Sequence, residues 1–364
     1  VKLEQLTFTR YVAALSVVFF HYGSSVFPAN IPLLHPILTA GPIAVSYFYV
    51  LSGFIMAIAY YRPGDQRNFK TGRYWLARVA RIYPVYLFAL LLMIAAKWHG
   101  AGSDALTIFL SASMLQAWAP GYPLTLNAPG WSLSVETFFY LSFPMLILLA
   151  KRHHLKPLAI AAVILWLLTQ SLHILLLNSA DYVPFSGLHD FIYYNPIMHL
   201  NTFLMGFIVG AWLQAGKLQS FARPAMNISG LIMVSGLSIL LLVTRQPFTA
   251  YTGIAIDYTN GLIAPLFIAF ITLLGLNTAT ISQCLQHKWL VLLGESSFSL
   301  YILQKPLHGI YEKVVSRWVD TDSALYFYLF IAILTGVAIL SFRLIETPSR
   351  HFINAFGSSS DKSG

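Results

Sequence analysis

At 364 residues, with 57% hydrophobic residues, only 10% charged residues and a mean hydropathy of +0.68, the chain has too little polar surface to cover a soluble globule. Its net charge of +9 sits in no compact basic domain, which excludes nucleic acid as a partner and points to the positive-inside bias of a protein embedded in membrane lipid. A single cysteine, Cys284, excludes an internal disulfide framework, and the eleven histidines fall in no metal-ligand spacing, so no metal is expected.

Apolar runs separated by polar or Pro/Gly-rich breaks predict ten transmembrane helices near 6–27, 41–61, 82–99, 131–150, 157–177, 198–215, 227–244, 251–275, 289–304 and 324–343. The fold class this predicts is all-α: a polytopic bundle forming one transmembrane domain over 1–350, followed by a cytoplasmic tail, 351–364, that reads as disordered. Tyr11 to Phe20 is apolar like a signal peptide, but it runs into His21 and Tyr22 with no small-residue cleavage site, so a retained first helix is expected. Ala105 to Trp118 is short and ringed by Gly, Pro and aromatic residues, which suits a segment at the membrane interface or re-entering it. With a cytoplasmic N-terminus, seventeen Lys and Arg fall on inside segments against five outside, which predicts both termini in the cytoplasm.

The polar residues of these spans carry the candidates. Arg10 and His21 are eleven residues apart, three helical turns plus about 20°, so they share a face and sit roughly 16 Å apart along the axis. An ionisable group at the depth of His21 should face the bundle or a wet cavity; an interfacial anchor and a satisfied core histidine are the competing reading. In the second span, Tyr47 to Gly53 ends in Ser52-Gly53, small residues that suit close helix packing. The loop that follows carries Arg62, Arg67, Lys70, Arg73, Arg78 and Arg81 against a single Asp65. Arg78 and Arg81, at i and i+3, can turn their forks to one anion, and topology alone would also place positive charge there.

In the fourth span Ser132, Glu136 and Tyr140 form one stripe at i, i+4 and i+8. Glu136 falls roughly 8 Å below the outer boundary and His21 roughly 9 Å, so the two agree in depth and could meet. A first-turn carboxylate favoured by the helix dipole is the alternative. The ninth span places Glu295, Ser297, Ser299 and Gln304 in an apolar run, either as structural glue or as a substrate path. Arg343, Glu346 and Arg350 read as a cytoplasmic helix end with internal ion pairs.

Six motifs in order then carry a family resemblance: Arg10 and His21 in the first span, SYFYVLSGF, RVARIYPVYL, PGWSLSVETFFYLSFP, SSFSLYILQKPL and RLIETPSR. Together they resemble the bacterial acyltransferase family 3, membrane-bound enzymes that O-acetylate glycans. The resemblance implies a catalytic path through His21 and Arg10, with Glu136 in the active site and Arg78 and Arg81 recognising the acyl donor, acetyl-CoA; Arg73 of the same basic segment is expected to join them. Beside the resemblance, the polar residues Ser132, Tyr140 and Gln304 are expected along the substrate path. Gln304 departs from the family, where a histidine is common, and His308 is only a remote substitute.

The implied reaction moves acetyl from cytoplasmic acetyl-CoA to a hydroxyl of a lipid-linked or exported polysaccharide, a xanthan-like exopolysaccharide being one case. The implied setting is the bacterial inner membrane, with polysaccharide-assembly proteins as partners. Many relatives append a periplasmic SGNH-type domain; none is seen in this sequence, so the acceptor is expected to be acylated directly or through a separate protein. His21 is either a general base stabilised by Glu136 or a transient acyl carrier. Two other classes stand beside this reading: a secondary transporter, which would call for paired repeats not seen here, and a non-catalytic assembly or lipid-binding subunit.

Overall fold

The computed structural model describes residues 3–64, 69–97, 104–152 and 155–359, and every regular element among them is helical. The chain opens with α1 (Thr7–Tyr22), the single turn α2 (His35–Leu38) and α3 (Gly41–Tyr60). It continues through α4 (Thr71–Lys97), α5 (Ala105–Ala112), α6 (Trp131–Arg152) and α7 (Leu155–Leu177). Next come α8 (Gly187–Tyr194), α9 (Pro196–Gln214), α10 (Pro224–Thr252) and α11 (Ala264–Leu276). The last third holds α12 (Thr280–Leu285), α13 (Lys288–Glu295), α14 (Ser297–Val315) and α15 (Ala324–Ser341). A π-helical turn, Phe342–Glu346, then leads without a break into α16 (Thr347–Ser359). Side chains at the boundaries explain several starts: Asp104, Ser186, Asn195 and Ser323 each accept a backbone N–H in the first turn of α5, α8, α9 and α15.

Seven helices among the described residues are long and apolar enough to cross a membrane: α3, α4, α6, α7, α9 with the preceding α8, α10 and α15. The protein is therefore multi-pass. The other three expected spans are helical but shorter or more polar. α1 has 16 residues, α11 has 13, and the run expected over 289–304 is divided at Ser296 between α13 and α14.

The expected span 251–275 is corrected most. α10 extends to Thr252 and stops at Gly253, whose φ of +72° is open to glycine at little cost. Residues 254–263 then run without regular helix into the bundle. Protein donors satisfy the backbone there: Gln170 Nε2 reaches Asn260 O at 2.9 Å, Trp166 Nε1 reaches Gly261 O at 2.8 Å, and Ser46 donates to Thr259 O. Non-helical backbone is tolerated at such depth when neighbouring side chains supply its hydrogen bonds.

Two further expectations change. The basic segment is helical from Thr71, so Arg73, Arg78 and Arg81 project from α4 rather than from a loop; Arg67 and Asp65 lie outside the described residues. The tail expected to be disordered from 351 is helical to Ser359, because α16 packs along α4; residues 360–364 lie outside the described residues.

Burial identifies the centre. In the apolar window of α3, 72% of residues are buried, against 11% in that of α10, so α3 runs through the bundle and α10 along its rim. α3 meets α9 at backbone distance: a Cβ on Gly53 would overlap Phe203 O, and one on Gly206 would overlap Val50 O. Small residues permit this approach, the packing role expected for the Ser52-Gly53 pair, and Gly53 fills it. Ser52 turns elsewhere.

Candidate active site

Five helices and the chain's first span close around a cavity of about 470 Å³. Arg10 enters from α1, Ser52 from α3, Arg78 and Arg81 from α4, Ser132, Glu136 and Tyr140 from α6, Tyr301 from α14 and Arg350 from α16. Four guanidinium groups thus share the lining with one carboxylate. That ratio makes the cavity a receptor for negative charge.

Each group is held from behind. Arg78 lies among three phenol rings, its guanidinium carbon 5.7 Å from the ring centres of Tyr60 and Tyr140 and 5.8 Å from that of Tyr74, and it donates to Tyr60 OH at 3.3 Å. Ring faces attract the cation without neutralising it, so it keeps its charge for a ligand. Glu136 accepts from Ser52 Oγ at 3.4 Å and from Tyr140 OH through a very short bond. The i, i+4 spacing on α6 makes the Tyr140 contact, and the Trp75 indole fixes that helix to α4 by donating to Tyr140 O at 3.1 Å. At the far wall Tyr301 OH donates to Ser132 Oγ at 2.9 Å, and Ser132 Oγ in turn donates to Pro129 O at 2.9 Å.

His21 is elsewhere. It lies in the last turn of α1, is exposed on the surface of the bundle, and is absent from the cavity lining. Its Nδ1 meets Gln304 Oε1 at 3.0 Å, and the Nε2 of Gln304 donates to Tyr301 O at 2.7 Å. The backbone carbonyl can only accept, so the amide nitrogen must face it and the amide oxygen must face His21. That oxygen also only accepts. The proton of a neutral His21 therefore resides on Nδ1, and Nε2 carries the free lone pair.

The contact expected between His21 and Glu136 is not formed. Depth along two helices fixes height but not direction: α14 stands between them, taking His21 on Gln304 and Ser132 on Tyr301. The cavity ends at Tyr301, three residues and roughly 4.5 Å of helix rise short of Gln304. Of the expected site residues, Arg10, Arg78, Arg81, Ser132, Glu136 and Tyr140 come together. His21 pairs with the fully buried Gln304, and the exposed Arg73 stands off the cavity wall.

Sequence reasoning missed Ser52, Tyr60, Tyr74, Tyr301 and Arg350. Ser52 and Arg350 were visible in motifs but read as packing and as a structural ion pair. Tyr301 lay in the motif SSFSLYILQKPL without being singled out, and Tyr60 and Tyr74 carried no signal among the twenty tyrosines in the chain.

A family profile described as an acyltransferase domain matches residues 3–343. The chain belongs to that acyltransferase family. The resemblance carried by the six motifs is borne out, and the protein is an acyltransferase enzyme. Its relatives include the acyltransferase MdmB of Streptomyces mycarofaciens, 29% identical over 331 residues that cover 83% of this chain and 78% of MdmB. The O-acetyltransferase OatA of Staphylococcus aureus strain NCTC 8325 is 24% identical over 377 residues, 96% of this chain and 59% of OatA. The acyltransferase thus spans about three-fifths of OatA's length. No solved structure matches it.

Proposed function

We propose that this acyltransferase moves an acetyl group from cytoplasmic acetyl-CoA to a hydroxyl of a lipid-linked or exported polysaccharide in the bacterial inner membrane. One observation carries the reading: four guanidinium groups converge on one cavity, while an imidazole with a directed lone pair stands beyond its far wall. The similarity to an O-acetyltransferase supports the choice of acyl group and of oxygen as the acceptor atom. An exopolysaccharide repeat unit of xanthan type is the acceptor we put first.

The anionic end of the donor, with its phosphates, suits Arg10, Arg78, Arg81 and Arg350, since guanidinium forks bind phosphate oxygens through paired charge-assisted bonds. The pantetheine arm then points at the wall formed by Tyr301 and Ser132, and parting of their hydrogen bond would bring the thioester to His21. Nε2 of His21 takes the proton of the acceptor hydroxyl as its oxygen bonds to the thioester carbon. The tetrahedral adduct collapses with loss of the CoA thiolate, which recovers that proton. Ester and free CoA are the products. Gln304 keeps the imidazole in the tautomer this step needs.

Transfer from labelled acetyl-CoA in membranes, with surface glycans read by mass spectrometry, tests the reading. His21→Ala should lower transfer by about a hundredfold or more, the range of a lost general base, and the glycan should lose 42 mass units per acetyl. Unchanged transfer in that variant would remove His21 from the chemistry.

A further inference from the structure

Glu346 is fully buried, and neither of its carboxyl oxygens has a hydrogen-bond partner among the described residues. Among the described residues its charged neighbours are Arg81 from α4, Arg10 from α1, Arg350 from α16 and the exposed Glu295 from α13. Arg10, Arg81 and Arg350 all line the cavity, whereas Glu346 does not. The carboxylate therefore stands behind the arginine wall rather than in the ligand's path. The ion pairs expected among Arg343, Glu346 and Arg350 are corrected accordingly, because Arg343 points to the exterior and is not among the charged neighbours of Glu346.

The backbone places this group deliberately. Glu346 is the last residue of the π-helical turn Phe342–Glu346 between α15 and α16. A π turn adds one residue to the helical repeat, which rotates everything after it by roughly 100° relative to an uninterrupted α-helix. Arg343 and Leu344 remain exposed, and Glu346 swings to the buried side. Such turns concentrate at functional positions.

A buried carboxylate without partners is costly, and so are several guanidiniums converging on one cavity. Each lowers the cost of the other by mutual attraction, and neither is consumed in a closed ion pair. We infer that Glu346 is the fixed counter-charge of the arginine cavity: a positioning residue that holds Arg10, Arg81 and Arg350 at the wall and limits how tightly the cavity grips an anion. In an enzyme that must release free CoA after each cycle, that limit governs turnover. The inference rests on the cavity being the site of the acyl donor.

The test uses the full chain in lipid nanodiscs, with free CoA and inorganic pyrophosphate as binding probes and acetyl transfer as the rate. In Glu346→Gln both probes should bind about tenfold tighter, as one nearby like charge is removed, while kcat falls severalfold. Glu346→Asp, which keeps the charge, should bind both probes as the wild type does. Tighter binding with slower turnover is a pair of effects that loss of folding does not produce. If Glu346→Gln does not fold, Glu346→Gln/Arg81→Gln restores the charge balance and should bind both probes within a fewfold of wild type. Unchanged or weaker probe binding in a folded Glu346→Gln protein overturns the inference. Pyrophosphate tightening without any CoA binding upholds the counter-charge and overturns the donor assignment. Failure of both probes to bind any variant overturns both.

Discussion

The two ends of the proposed reaction path are built in opposite ways. At one end the cavity is over-determined: Arg78 is held by three rings, Glu136 by Ser52 and Tyr140, and α6 by the Trp75 bond to Tyr140. At the other end His21 has, among the described residues, one hydrogen bond, to an amide whose own orientation is set by one more. A site for a large polyanion needs many weakly adjustable cations, whereas a proton-transfer centre needs one lone pair with a known direction. Redundancy at the first end predicts graded losses on mutation, and its absence at the second predicts sharp ones.

The largest effect expected at the cavity tests whether its cations act on binding alone. Replacing Arg78 and Arg81 together by Ala should raise the KM for acetyl-CoA by about a hundredfold or more, at roughly 1.5–3 kcal/mol for each lost charge-assisted bond, with kcat changing much less. Steady-state titration of the donor reads both. A collapse of kcat at unchanged KM would make the arginines part of the chemistry and dissolve the distinction.

Next in size, Gln304→Leu removes the hydrogen-bond partner that His21 has among the described residues. It should lower kcat by about tenfold, less than the hundredfold or more that loss of the positioned base itself would cost, and leave the donor KM unchanged. The ¹⁵N spectrum of ring-labelled histidine sharpens the point: wild type should show His21 protonated at Nδ1, and Gln304→Leu a mixture of tautomers. A wild-type spectrum with the proton on Nε2 contradicts the assignment. The smallest effect is ionic. Between about 50 mM and 500 mM salt the donor KM should rise severalfold as the Debye length shortens, while the rate at saturating donor holds. Equal salt sensitivity of both would blur the two ends.

Much of the cavity was legible because its residues obey helical periodicity. Ser132, Glu136 and Tyr140 were placed on one stripe by spacing alone, and Arg78 and Arg81 on one side by theirs. What periodicity cannot supply is direction across helices. The agreement in depth between His21 and Glu136 gave no information on which helix each would face, and α14 came between. Hydropathy averaging likewise merged 251–263 with α11, because apolar flanks outweighed Asp257, Thr259 and Asn260, the residues that mark a folded-back segment. Glu346 was hidden by one extra backbone residue, since a π turn changes which side chains face inward without any sequence signal in the pattern. Gln304 is the converse case. Its departure from the family's histidine reads as a loss in sequence, and in the structure it is the group hydrogen-bonded to the His21 ring.

The division of labour is tested most directly by measuring acetyl-CoA binding and acetyl transfer on the same nanodisc preparations of wild type, His21→Ala and Arg81→Ala. The account predicts that His21→Ala binds acetyl-CoA as wild type does yet transfers acetyl about a hundredfold or more slower, whereas Arg81→Ala binds it at least tenfold more weakly and still transfers at saturation. Weakened binding in His21→Ala together with unaltered binding in Arg81→Ala would contradict it.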